Sequence, residues 1–447
     1  MSLILNKEQK AAIKRIEDKL NSYRVFLLHG VTASGKTEIY IRLSQKVIES
    51  GKEVIVLLPE IALTFQVLER FRERFKDKVA IFHSRLGNQK RHSEYEKVKS
   101  GQAKIVIGAR SALFAPFKNV GLVIVDEEHE PSYKEITSPR YNARDVAVKR
   151  AELENCPLIL GSATPSIESY YKAQKGIYTL IELVERIEKR KLPEVKIVDM
   201  KREFEFRRGS IFFSRLLLKE IERILSMNEQ AILFLNRRGF STFISCKDCG
   251  DVLKCKRCDS IMVHHSSGNY LVCHHCNRKE KVPEVCPKCN SNKLKFSGIG
   301  TEKVESEINR FFPKARIARL DTDAAKKRGI HEEVLSSFRK HNIDILIGTQ
   351  MVAKGLDFPG VTLIGVISTD INLNLPDFRA SERTFNLLTQ VAGRSGRGEK
   401  KGNVIIQTYN PKHYSVILSS KHDYGNFYNE ELKFRKELNL PPFRNLI

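Results

Sequence analysis

The chain has 447 residues, room for about three domains at ~150 residues each. Hydrophobic residues make up 41% of it, enough to bury real cores, which excludes wholesale disorder. Lys and Arg outnumber Asp and Glu by 77 to 53, a net charge of +24, so the natural partner is a polyanion: DNA, RNA or an anionic surface.

No apolar run reaches the ~18 residues of a membrane span. The opening MSLILNKEQK also lacks the charged-then-apolar plan of a signal peptide. Together these predict a cytoplasmic protein with no membrane contact. Disulfides are uncommon in that compartment, so clustered cysteines there point to metal or redox chemistry.

The first feature is LNKEQ, 5–9. Asn6 and Gln9 have capping-box spacing, so Gln9 either closes a helix N-terminus or reads an adenine edge with its amide. Spacing leaves both open. Next, RVFLLHG, EVIVLLP, KVAIFHS, KIVIGA, LVIVDEEH and PLILGSATP read as short buried strands, with helical patterns between them. That alternation predicts a parallel sheet with helices on both faces.

The first strand runs into HGVTASGKTE, which fits G-x-x-x-x-G-K-[ST] without mismatch. Gly30, Val31, Thr32, Ala33, Ser34 and Gly35 would wrap a phosphate with backbone N–H groups at a helix N-terminus. Lys36 would reach the β and γ phosphates of ATP, and the Thr37 hydroxyl would ligate Mg2+. Downstream, VGLVIVDEEHE ends a strand on Asp126 and Glu127. Asp126 is placed to hold Mg2+ and Glu127 to orient the attacking water.

The segment 130–145 follows directly. It mixes Tyr133 and Tyr141 with Lys134, Arg140 and Arg144, the pairing of aromatic faces with cations that single-stranded DNA uses. An ordinary surface loop with a packed tyrosine is the competing reading. Arg110 in GARSALF and Lys354 in MVAKGLDFP are weaker candidates for backbone contacts. From about 190, QAILFLN, ARIARLD, DILIGTQ, LIGVIST and NVIIQTY read as strands of a second parallel sheet.

Of nine cysteines only Cys156 lies outside 246–289. The others form four C-x-x-C pairs: Cys246 with Cys249, Cys255 with Cys258, Cys273 with Cys276, and Cys286 with Cys289. Two such turns complete a tetrahedral four-thiolate zinc site. The inner pairs have zinc-ribbon spacing, with IMVHHSSGNYLV between them as a hairpin, which leaves the outer pairs for a second, nested site. The rival pairs the turns in sequence order. A redox role is disfavoured because none of the four opens a thioredoxin-like unit.

Gln9, GVTASGKT, LLPEIALTFQ, GARSALFAPF, DEEH, GSATPS, FLNRRG, GTQMVAKGLDFP and QVAGRSGR resemble, in order, the motifs of superfamily 2 helicases. Their wording is similar to that of the PriA family of bacterial replication-restart helicases. The resemblance implies an α/β chain of two RecA-like parallel-sheet lobes with a double zinc-binding insertion in the second lobe. The first lobe would span 1–185, the second 186–245 and 290–425, and the insertion 246–289. Residues 426–447 would start a truncated C-terminal domain, and the family's N-terminal DNA-binding region would be missing, which puts recognition of a nascent strand's 3′ end in doubt.

The resemblance also assigns roles. Arg394 and Arg397 of QVAGRSGR would stabilise charge on the γ-phosphate, Gln390 would couple the lobes, and Gln9 would read adenine. It implies ATP, Mg2+ and two Zn2+ as cofactors, favours the nested cysteine sites, and makes 130–145 a loop that senses single-stranded DNA. The expected activity is ATP-driven 3′-to-5′ unwinding at stalled forks, with primosome assembly and reloading of the replicative helicase. Partners would be single-stranded and forked DNA, primosome proteins and single-stranded-DNA-binding protein, acting on a monomer. The alternative is a fork-DNA-binding primosome scaffold whose motor is weak or dispensable.

Overall fold

The computed structural model describes residues 4–59, 65–83, 86–186, 192–205, 212–235, 242–257, 262–265, 269–273, 278–297, 301–320, 330–349, 358, 360–375, 377–395 and 401–445. Cys258, Cys276, Lys354 and Arg397 lie outside the described residues. The chain forms two units, Met1–Arg190 with Leu438–Ile447, and Lys191–Glu437.

In the first unit the apolar runs become seven strands: β1 (Arg24–Gly30), β2 (Glu53–Leu57), β3 (Val79–Phe82), β4 (Ile105–Gly108), β5 (Val120–Asp126), β6 (Pro157–Ser162) and β7 (Thr179–Leu183). Successive side chains point to opposite faces. Val25 and Leu27 pack into one apolar layer, Phe26 and Leu28 into the other. Both faces are covered, which is why these runs are apolar throughout instead of alternating. All neighbours are parallel, in the order β3-β4-β2-β5-β6-β1-β7. Strand β6 lies between β1 and β5, with Gly161 opposite Asp126 and Ser162 opposite His29. The carboxyl ends of β1, β6 and β5 therefore form one edge, the place where open parallel sheets hold ligands.

The second unit begins with β8 (Glu194–Asp199) and β9 (Gln230–Leu235). A small antiparallel sheet interrupts it: β10 (Thr242–Cys246), β11 (Val263–His265), β12 (Tyr270–Val272), β13 (Lys279–Lys281) and β14 (Leu294–Ser297). The main sheet resumes with β15 (Ile317–Leu320), β16 (Ile345–Gly348), β17 (Val361–Ser368) and β18 (Asn403–Thr408). Its order is β15-β16-β9-β17-β18-β8, again parallel.

The sequence division at 426 falls inside a helix, Tyr424–Glu437, that is built into this second unit. Phe427 stacks on Phe385 with ring centres 4.0 Å apart. Arg435, 1% exposed, pairs with Glu382 at 2.7 Å and Glu431 at 2.9 Å. Burying those groups is what ties the helix to Ala380–Ala392, which carries Glu382 and Phe385. Among the described residues no helix is long and apolar enough to cross a membrane.

Candidate active site and metal centre

The phosphate loop is built at the end of β1. Gly35 caps the helix Lys36–Glu49 in the left-handed region, φ 84°, where a side chain is disfavoured. At Gly30 a methyl group would meet Ser34 Oγ at 2.5 Å and Leu183 at 3.2 Å. Lys36 Nζ turns back to donate to the Gly30 carbonyl at 2.6 Å. Gln9 is buried and closes the capping box with Asn6 at both ends. Its Nε2 then donates to the Ser34 carbonyl at 2.9 Å, so the same amide that caps the first helix also braces the loop.

The DEEH segment leaves β5 beside this loop. Burial, then the Glu127 charge, pushes the Asp126 carboxyl up to about 6, with Lys36 and the Tyr40 hydroxyl pulling the other way. Tyr40 donates to Asp126 Oδ1 at 2.9 Å. Glu127 has φ 49°, a left-handed backbone rare for a residue with a side chain and common at functional turns. His129 Nδ1 lies 2.7 Å from Ser162 Oγ, joining the segment to the end of β6. Glu128 turns inward: it accepts from Ser166 N at 2.6 Å and from Ser169 Oγ at 2.9 Å, and pairs with Arg144 at 3.0 Å.

That pairing corrects two readings of the 130–145 loop. Arg144 turns inward instead of out to solvent. Its guanidinium neutralises a fully buried carboxylate, and although burial opposes the charge, Glu128 holds it above the ordinary arginine range. Tyr133 offers no face for stacking, being 2% exposed with its hydroxyl donating to the carbonyls of Asp126 at 2.6 Å and Leu57 at 3.2 Å. The directions of both side chains are set by the buried carboxylate and carbonyls next to them, which composition does not show. The loop between is a short hairpin, closed by Glu135 N on the Tyr141 carbonyl at 2.8 Å. Its tip is exposed, Arg140 included, and Tyr141 is half-buried with its ring edge on Phe114. Arg110 is partly spoken for, at 3.0 Å from both Glu135 and the Lys134 carbonyl.

In the insertion, β10 ends on Cys246 and pairs antiparallel with β14, which follows the last cysteine turn. This brings the first and fourth C-x-x-C turns together. Asp248 of the first turn accepts from Ser291 Oγ at 2.7 Å and from Lys293 Nζ at 3.2 Å beside the fourth. The sulfurs of Cys246, Cys249, Cys286 and Cys289 all lie within 4.8 Å of one another. Cys246 is 3.5 Å from Cys289 and Cys249 is 3.7 Å from Cys286. A tetrahedron with metal–sulfur bonds of ~2.3 Å has edges of about 3.8 Å, so the set fits Zn2+. Burial raises the Cys246 thiol, but N–H groups at Cys249 and Asp248 outweigh it and hold it at about 7. Cys255 and Cys273 are buried together in a separate small core with Ile244, Leu253, Met262 and Leu271.

Against known families, residues 6–173 match the DEAD/DEAH box helicase model and 269–399 the helicase conserved C-terminal domain. Residues 255–281 match the PriA DNA helicase Cys-rich region domain. The replication restart protein PriA of Bacillus subtilis is 51% identical over 99% of this chain and 55% of its own length. That of Rickettsia felis is 42% identical over 98% of this chain and 67% of its own length. The chain belongs to the PriA family. It spans about half to two thirds of the length of the curated relatives it matches.

Solved structures share the fold of this PriA-family chain at low identity. RecG bound to a three-way DNA junction has a TM-score of 0.53 at 16% identity, covering 98% of this chain and 50% of that one. The DUF1998 helicase MrfA bound to DNA has 0.56 at 14%, covering 95% and 51%. The fold is thus two RecA-like parallel-sheet lobes with a cysteine-rich insertion in the second.

Sequence reasoning missed Tyr40, Gly161 and Glu128 at this site. None announces itself by type, since each matters through what packs against it. One signal was available at the metal centre. The residue after the second cysteine is left-handed in both described turns, Gly250 at φ 74° and Asn290 at φ 55°. The other two turns carry Asp259 and Asn277 there, residue types that tolerate that backbone. In the second unit Gln390 is buried on the helix Ala380–Ala392, and Arg394 follows the helix end.

Proposed function

We propose that the chain is the motor core of an ATP-dependent DNA helicase that translocates 3′ to 5′ and acts in restart of stalled replication forks. The observation that carries the reading is the shared edge of β1, β6 and β5, where Lys36, Asp126 and Glu127 converge. The loop from Gly30 to Gly35 binds the phosphates of ATP, Lys36 exchanges the Gly30 carbonyl for them, and Glu127 orients water. Thr37 and Asp126 would hold Mg2+, which would supply positive charge against the negative charge that develops on the phosphates. Gln9, Gln390, Arg394 and Arg397 keep their nucleotide roles by family resemblance alone.

Single-stranded and forked DNA would meet the exposed tip of the 130–145 loop through Arg140 and Tyr141, with Arg110 and Lys354 as further contacts. Both ends of that loop grip the catalytic segment, Tyr133 at the Asp126 carbonyl and Arg144 at Glu128. A DNA-driven shift of the tip thereby reaches Glu127. The insertion holds two Zn2+, one on Cys246, Cys249, Cys286 and Cys289, the other on Cys255, Cys258, Cys273 and Cys276. Primosome proteins and single-stranded-DNA-binding protein are the proposed partners of a cytoplasmic monomer.

A steady-state ATPase assay with and without forked DNA tests the reading. Lys36→Ala should weaken nucleotide binding or turnover, and Glu127→Gln should keep binding and lose turnover. DNA-insensitive or absent hydrolysis in the parent favours a scaffold over a motor, and wild-type turnover in both variants rejects the assigned site.

A further inference from the structure

Tyr40 is fully buried on the helix Lys36–Glu49, four residues after Lys36 and hence on the same face. A buried tyrosine hydroxyl needs a partner. Here the partner is the Asp126 carboxylate, with Oη donating to Oδ1 at 2.9 Å. Strand β6 stands between the β1 and β5 ends, and at this level β6 has a glycine. A methyl group built on Gly161 would overlap Tyr40 Oη and lie 3.4 Å from Asp126 Oδ1. Gly161 is therefore the gap through which the hydroxyl reaches the carboxylate. Space, burial and the donor all serve one hydrogen bond.

We propose that Tyr40 is a positioning residue for nucleotide-bound Mg2+, fixing one oxygen of Asp126 so that the carboxylate keeps a single orientation at the phosphate edge. The proposal rests on the ATPase reading above. Groups that orient a metal-binding carboxylate from outside the coordination shell tune metal affinity without touching the metal. A residue that only filled the core would leave the Mg2+ requirement unchanged as phenylalanine, because the ring supplies most of the packing.

The test is a Mg2+ titration of the binding of a fluorescent, non-hydrolysable ATP analogue to the full 447-residue chain. In Tyr40→Phe the Mg2+ concentration for half-maximal binding should rise about 10-fold, while metal-free affinity and the urea midpoint stay near the parent. Gly161→Ala should reproduce that shift by pushing the hydroxyl off Asp126. Added to Tyr40→Phe, it should raise the Mg2+ requirement little further, because the hydrogen bond it would break is already gone, even though the new methyl still crowds the ring at 3.0 Å from Cζ and lowers the urea midpoint. An unshifted Mg2+ requirement in Tyr40→Phe overturns the proposal, and so does a lowered urea midpoint with no Mg2+ shift. Additive effects of the two substitutions overturn the role given to Gly161. A parent chain that shows no Mg2+-dependent binding overturns the ATPase reading itself, and this proposal with it.

Discussion

At the scale of single residues, the loop after the DEEH segment separates what a side chain is from where it points. Arg140 and Arg144 are four apart in sequence and opposite in use. Arg140 is exposed, whereas Arg144 closes on a carboxylate whose side chain is 0% exposed. Arg144→Met should leave Glu128 buried and unpaired and cost about 3 kcal/mol in urea unfolding, as broken buried pairs do. Arg140→Ala should leave the midpoint and basal hydrolysis at parental values and blunt stimulation by single-stranded DNA. A stable Arg144→Met chain with parental ATPase would return that arginine to the surface. Glu127 adds a second case. Its left-handed backbone costs a side-chain residue roughly 1–2 kcal/mol, so Glu127→Gly should raise stability by about 0.5–1 kcal/mol while abolishing turnover. Lowered stability would place the strain elsewhere.

At the scale of elements, the phosphate loop, the acidic strand end and the cysteine turns were legible because each is a contiguous stretch whose spacing is its chemistry. The order of the strands was not legible. That β6 separates β1 from β5, and so puts Gly161 and Ser162 between the two halves of the site, depends on contacts far apart in sequence. The same holds for Tyr424–Glu437, which looked like the start of something new and is instead held by Arg435 between Glu382 and Glu431. Tyr414 donates to Glu431 as well, so Arg435 and the two carboxylates sit in one buried hydrogen-bonded network. Arg435→Ala removes the buried cation that both acids face and should cost about 3–5 kcal/mol. Arg435→Ala combined with Glu382→Gln and Glu431→Gln should recover part of that loss. Equal destabilisation in the single and triple variants would mean the arginine acts by packing alone.

At the scale of the whole molecule, the two parallel sheets and the insertion draw their folding free energy from different sources. The first unit has apolar layers on both faces of a seven-stranded sheet, and its one cysteine, Cys156, is fully buried with its thiol pushed up to about 12, chiefly by burial. Among the described residues, the insertion in the second unit has a handful of buried apolar residues around Cys255 and Cys273. So small a core cannot stand alone, and metal binding supplies the missing free energy. Chelation should therefore act on one part of the chain. With a strong chelator at neutral pH, eight thiols should become reactive toward an alkylating probe as the insertion unfolds. Cys156 should stay unlabelled until denaturant opens the first sheet, because at neutral pH it is both inaccessible and protonated. Nucleotide binding should survive chelation, since no residue of the phosphate edge lies in 246–289, while unwinding should be lost. Labelling of all nine thiols together would show that the metal sites hold up the whole chain, and a chelator-dependent gain of only four reactive thiols would mean that a single metal site exists.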